Sequence, residues 1–100
     1  MESFTILVIY KAKSGEDRAN FVKELTESGV LSAIRNEDGC HAYDYYFSNE
    51  DEKMLVLYEK WESPDHQRVH MTQPHMKTAM DIKSKYIESV QLKRIEIGDL

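Results

Sequence analysis

The chain of 100 residues makes one domain, residues 1–100, because a second would leave neither half enough interior to offset its chain entropy. With 41% apolar and 31% charged residues it is too apolar for disorder and ordinary for a folded protein. The formal charge of -5, with Lys and Arg scattered, provides no basic stripe to neutralise phosphates, so no nucleic-acid partner is expected.

No apolar run approaches the roughly 20 residues that span a bilayer. Met1-Glu2-Ser3-Phe4 also lacks a basic segment ahead of an apolar one, so a cytoplasmic protein with no membrane partner is expected. The single cysteine, Cys40, excludes an intrachain disulfide and an all-cysteine zinc site. A nucleophilic Cys40 would need a base beside it, and His41 points to the other side of a strand; a small half-buried packing residue is expected.

Residues 4–10 are β-branched and aromatic, with apolar side chains at both parities, which predicts a strand covered on both faces. Ser14 then offers an N-cap, Gly15 opens a helix, and Asp17 sits in the first turn, where the helix dipole favours negative charge. Phe21, Val22, Leu25, Val30, Leu31 and Ile34 form a helical stripe that Gly29 kinks or ends, and Asn36-Glu37-Asp38-Gly39 closes the element. Cys40 to Phe47 and Met54 to Trp61 are two more strands; the polar turn Ser48 to Lys53 joins them into a hairpin whose tip reads as solvated charge. On the second of these strands Leu55, Leu57, Glu59 and Trp61 share one side, and Met54, Val56, Tyr58 and Lys60 the other.

Ser63-Pro64 predicts an N-cap and first helical residue, where proline's missing N–H costs nothing. Pro74 interrupts that helix, so Thr72 or Gln73 is expected to cap a new segment through Met76, Ala79 and Met80. In the last strand Val90 and Leu92 alternate and Ile95 and Ile97 resume at the other parity, which a bulge near Lys93 and Arg94 would reconcile. The order strand, helix, strand, strand, helix, strand is the α+β, ferredoxin-like βαββαβ pattern: a four-stranded antiparallel sheet with helices on one face. The other face also reads as apolar, which points to a homodimer joined sheet to sheet.

No repeat, phosphate-binding glycine loop, nucleophile elbow or zinc-protease motif is present, which leaves nucleotide and flavin binding without support. Three of the four histidines fall in one short stretch, Trp61 to Met76. His66 and His70, at i and i+4, could seat two metal ligands, with a third to come only from His75, Glu59 or an acidic residue elsewhere, and a solvated or hydrogen-bonded pair is the default reading. His70 and His75 flank the break before Pro74, so both could border one cavity, with His75 at a helix start poised to accept a proton. Against this stands the plainer reading of structural histidines. The six tyrosines and five methionines divide in the same way between core and pocket wall.

Taken in order, three stretches resemble the antibiotic biosynthesis monooxygenase (ABM) domain family. They are Lys11-Ala12-Lys13-Ser14-Gly15, then Asp38-Gly39-Cys40-His41-Ala42-Tyr43, then Tyr58-Glu59-Lys60-Trp61-Glu62-Ser63 followed by His70 and Gln73-Pro74-His75-Met76. The resemblance covers essentially the whole chain. It implies a dimeric α/β-barrel with one pocket per subunit, and oxidation of a small phenolic or quinol-type substrate by molecular oxygen with no metal, flavin or haem cofactor. It further implies that His70 and His75 are catalytic, orienting or deprotonating substrate, that Trp61 is a pocket wall, and that Tyr43 and Glu59 are substrate-binding. The first strand has no asparagine of the kind that haem-degrading relatives carry, which disfavours haem degradation, although His70 keeps it open. Thr72 to Thr78 also resembles relatives that isomerise a phosphorylated hydroxyketone; there His70 or His75 would move the proton and Lys77 would hold the phosphate. A small-ligand binding dimer without chemistry is the non-enzymatic alternative.

Overall fold

The structure, a computed structural model, describes residues 3–95. Strand β1 (Phe4–Ala12) leads into helices α1 (Gly15–Glu27) and α2 (Val30–Arg35), then the hairpin β2 (Cys40–Phe47) and β3 (Met54–Trp61). Helices α3 (Pro64–His70) and α4 (His75–Tyr86) follow, and β4 (Ile87–Ile95) completes the described chain. The strands lie in the order β2-β3-β1-β4, all antiparallel, which is the ferredoxin-like α+β arrangement expected from the element order.

Alternation along the two central strands decides where the core sits. Ile6, Val8, Tyr10 and Ala12 on β1 are buried beside Leu55, Leu57, Glu59 and Trp61 on β3, and onto this face pack Phe21, Leu25, Val30, Leu31, Ile34 and Ile82 from the helices. Burying each large apolar side chain contributes roughly 1.5–3 kcal/mol, so this one face supplies most of the driving force. Leu7, Ile9, Val56 and Tyr58 occupy the alternate positions and are only partly buried.

Local signals placed the first helices well. Ser14 Oγ accepts the Asp17 N–H at 3.0 Å, and Gly29, with φ +84°, separates α1 from α2. Three expectations need correction. The hairpin tip is not merely solvated: Arg18 Nη1 donates to the carbonyls of Ser48, Asp51 and Met54 at 3.0–3.1 Å, and its guanidinium lies 4.4 Å from the centre of the Phe47 ring. Neither Thr72 nor Gln73 caps α4, whose N-cap is Pro74 with no side-chain bond, because both side chains turn back to the Val69 carbonyl. The β1–β4 ladder runs without a slip from Thr5 opposite Ile95 to Lys11 opposite Ser89, so there is no bulge at Lys93 and Arg94. The irregularity lies at the other end, between Lys11 and Ala12, where the chain leaves α4 and enters the sheet; Ile97 lies outside the described residues.

Candidate active site

Trp61 and Glu59 share one face of β3, and that spacing creates the first half of the site. Trp61 is fully buried and its indole Nε1–H donates to Glu59 Oε1 at 3.0 Å. A carboxyl so enclosed loses hydration in its charged form, and burial pushes the Glu59 pKa up to about 7; the Trp61 hydrogen bond opposes this and the nearby Glu37 charge adds to it.

The second half comes from α3. Ser63 caps it, its Oγ accepting the His66 N–H at 3.3 Å and lying 2.6 Å from His66 Nδ1, and Pro64 takes the first helical position. His66 therefore folds back to the helix start, partly exposed, with Nε2 3.3 Å from both Asp38 and Glu62, and does not share a site with His70. Its ring also fills the space beside Gly39: a Cβ at Gly39, whose φ is +80°, would stand 2.3 Å from His66 Cδ2. The Gly39 turn and α3 are thus fitted to one another.

His70, the last residue of α3, enters the core and is 1% exposed. Its ring stacks on Trp61 at 4.7 Å and meets Tyr43 edge-on at 5.5 Å. Nδ1–H donates to Glu37, at 2.9 Å from Oε2 and 3.1 Å from Oε1. His75, the first residue of α4, reaches the same carboxylate from the other side, with Nε2 at 2.7 Å from Oε2. The break at Pro74 does bring the two imidazoles together, but around a carboxylate and not around a cavity.

A cavity of about 230 Å³ lies between the sheet and helices α1, α3 and α4. Its inner wall includes Tyr10, Tyr43, Tyr45, Glu59 and His70. Its outer part is lined by Met71, Met80, Val90 and Leu92, which are largely exposed, so an apolar rim surrounds the approach. Lys83 is the cation on the lining. Burial raises the pKa of all three tyrosines, and with them held as neutral phenols the wall offers hydrogen-bond donors and no phenolate. Of the residues singled out from sequence, Tyr43, Glu59 and His70 border the cavity. Trp61 does not; it supports His70 from behind. His75 and Lys77 lie outside the lining, Lys77 on the exposed side of α4, because α4 turns its Met76, Ala79, Met80 and Lys83 positions toward the cavity and its rim. Cys40 is half-buried, with its thiol pushed up to about 11, first by burial and then by the charges of Glu37 and Glu59, which fits a packing role.

Glu37 is the residue that sequence reading passed over. It belongs to a polar turn and its partners lie 33 and 38 residues away, so no local spacing marks it. Lys83, Val90 and Leu92 were likewise invisible as site residues, since their common side appears only when α4 docks beside β4.

Comparison with known proteins bears on the family and the fold. The model of a family described as antibiotic biosynthesis monooxygenase matches residues 3–82, which include β1 through α3 and every cavity-lining residue named above except Lys83, Val90 and Leu92. Among solved structures, PA3566 from Pseudomonas aeruginosa has a TM-score of 0.82 at 18% identity, covering 99% of this chain and 97% of that one. Rv0793 from Mycobacterium tuberculosis has a TM-score of 0.79 at 21% identity, covering 99% of this chain and 98% of that one. These two show the fold. A Nitrosomonas europaea protein provisionally named an antibiotic biosynthesis monooxygenase has a TM-score of 0.75 at 26% identity, covering 98% of this chain and 90% of that one. A search of curated protein sequences finds no match. With four-fifths of its length matched by the family model and the same fold throughout, the chain belongs to the antibiotic biosynthesis monooxygenase family.

Proposed function

We propose that this protein is a monooxygenase that oxidises a small phenol or hydroquinone with molecular oxygen, with His70 receiving the phenolic proton. The observation that carries the reading is a buried imidazole on the wall of a small apolar cavity, braced by Trp61 and tethered through Nδ1, with Nε2 left as its basic nitrogen. A phenolate is electron-rich enough to reduce oxygen itself, so the protein's task is to bind it, take its proton and keep water out. The stoichiometry is closed: a phenol gains one oxygen atom and loses two hydrogens to become a quinone, and the second oxygen atom leaves as water. The substrate supplies all the electrons, and no resident cofactor enters the reading. The cavity volume, about 230 Å³, is below the usual range of ~300–1,000 Å³ for ligand sites and suits a one- or two-ring substrate. The partly buried row of Leu7, Ile9, Val56 and Tyr58 supports a second copy of the chain packed on the open sheet face as part of the same reading.

Oxygen uptake with a panel of naphthols and hydroquinones is the test. Turnover by the wild type and its loss in His70→Ala is expected; no turnover, or equal turnover by both, overturns the reading. Lys83 on the lining gives one specific point in favour of a second reading, isomerisation of a small phosphorylated hydroxyketone, in which Lys83 and not Lys77 would hold the phosphate. Turnover of such a ketone without oxygen would select it.

A further inference from the structure

Glu37 brings two histidines to one carboxylate, and its geometry is unequal toward them. His70 Nδ1 lies within reach of both oxygens, 2.9 and 3.1 Å, whereas His75 touches Oε2 at 2.7 Å. The carboxylate side chain is 10% exposed, His70 1% and His75 23%. A carboxylate only accepts, so the proton in each contact belongs to the imidazole. That places hydrogen on Nδ1 of His70, and in the neutral ring Nε2 is the nitrogen without it.

We infer that Glu37 is the positioning residue of this site: it holds His70 in the Nδ1–H tautomer, keeps Nε2 as the basic atom for the cavity, and balances the imidazolium once Nε2 takes a proton. His75 acts one step further out, donating to Oε2 so that the carboxylate cannot rotate away from Nδ1. The logic is that of any carboxylate behind a catalytic imidazole, where the wrong tautomer costs as much as ~10⁴ in rate with geometry intact. The inference rests on the proposed role of His70 as base. It also reassigns His75 from the substrate to the support of the carboxylate. The alternative is a buried carboxylate with two partners and no bearing on which nitrogen of His70 is free. The other titratable groups around Glu37 are Asp38, Asp65 and His66 at the adjoining surface cleft, and Cys40 and Glu59 from the strands below. Among the described residues none of these hydrogen-bonds the His70 ring, so Glu37 alone sets its tautomer.

The experiment compares wild type, Glu37→Gln, His75→Gln and His75→Ala by ring-nitrogen NMR of His70 and by steady-state kinetics. In the wild type His70 is expected as the Nδ1–H tautomer. Glu37→Gln keeps the shape but can donate to Nδ1, so the population moves toward Nε2–H, and kcat is expected to fall by about 10²–10⁴ with KM changed less than about twofold. His75→Gln retains an N–H for Oε2 and is expected within about threefold of wild type, whereas His75→Ala loses about tenfold in kcat at unchanged KM. An Nε2–H tautomer in the wild type, or an unchanged tautomer in Glu37→Gln, overturns the inference, and so does Glu37→Gln with wild-type kcat. The NMR needs no substrate, so failure of the monooxygenase reading is separate: it shows as absent oxygen uptake in the wild type while the tautomer shift still stands.

Discussion

Glu59 is a carboxyl that the fold holds against its own charge. Its pKa stands near 7 in the folded protein against 4.5 for an ordinary glutamate, with burial the largest cause. Between those values the folded chain keeps a proton that the unfolded chain has released, so the stabilising contribution of neutral Glu59 is full below about pH 4.5 and is lost as pH rises to 7. The whole loss is on the order of 3 kcal/mol. Glu59→Gln retains a carbonyl oxygen for Trp61 Nε1–H and has no proton to lose. Thermal unfolding between pH 5 and pH 8 is expected to show wild type falling relative to Glu59→Gln, with the variant more stable at pH 8; parallel profiles would refute this account of Glu59. The same buried carboxyl gives the cavity a donor at low pH and an acceptor at high pH, a contrast with His70, whose hydrogen-bond partner fixes one nitrogen.

At the scale of elements, the chain's turns are held by side chains that come from elsewhere. Arg18 on α1 ties down the β2–β3 turn by donating to three backbone carbonyls, yet its Nε is buried without a partner. Charged hydrogen bonds of this kind contribute about 1.5–3 kcal/mol, and an orphaned buried donor costs about 1–3 kcal/mol. Nη1 carries two hydrogens for these three carbonyls, so at most two full bonds, about 3–6 kcal/mol together, stand against that cost. Arg18→Met is expected to destabilise the protein by about 1–2 kcal/mol in urea unfolding, with faster amide exchange concentrated in residues 48–54. Exchange that rises equally across the whole sheet would show that the clamp is not local. A similar division holds at α3, where Ser63 and Pro64 start the helix by local rules, while its His66 ring is seated against the distant Gly39 turn.

On the scale of the whole molecule, the sheet separates two environments. One face carries the core and the cavity, and the other carries Leu7, Ile9, Val56 and Tyr58, with no helix among the described residues packed into the core from that side. No helix among the described residues is long and apolar enough to cross a membrane. Water is a costly neighbour for such a face, and a second copy of the chain is the partner proposed for it. Sedimentation at micromolar concentration is expected to show a dimer for the wild type and a monomer for Val56→Asp with its helix-side core unchanged. A wild type that sediments as a monomer removes the dimer from the reading.

Much of this protein was legible in one dimension because its local signals agree. Alternation in β3 placed Glu59 beside Trp61; Ser14, Gly29, Ser63 and Pro64 marked where helices begin and end; and the element order specified the ferredoxin-like sheet. Each of these is a property of neighbours within a few residues, which backbone geometry and side-chain periodicity encode directly. The meeting of His70, His75 and Glu37, and the presence of Lys83 but not His75 or Lys77 on the cavity lining, were decided only by how α3 and α4 dock onto the sheet. Docking angle and depth come from close packing between distant segments, and a side chain rotated by one helical position changes from ligand to bystander without altering any local pattern.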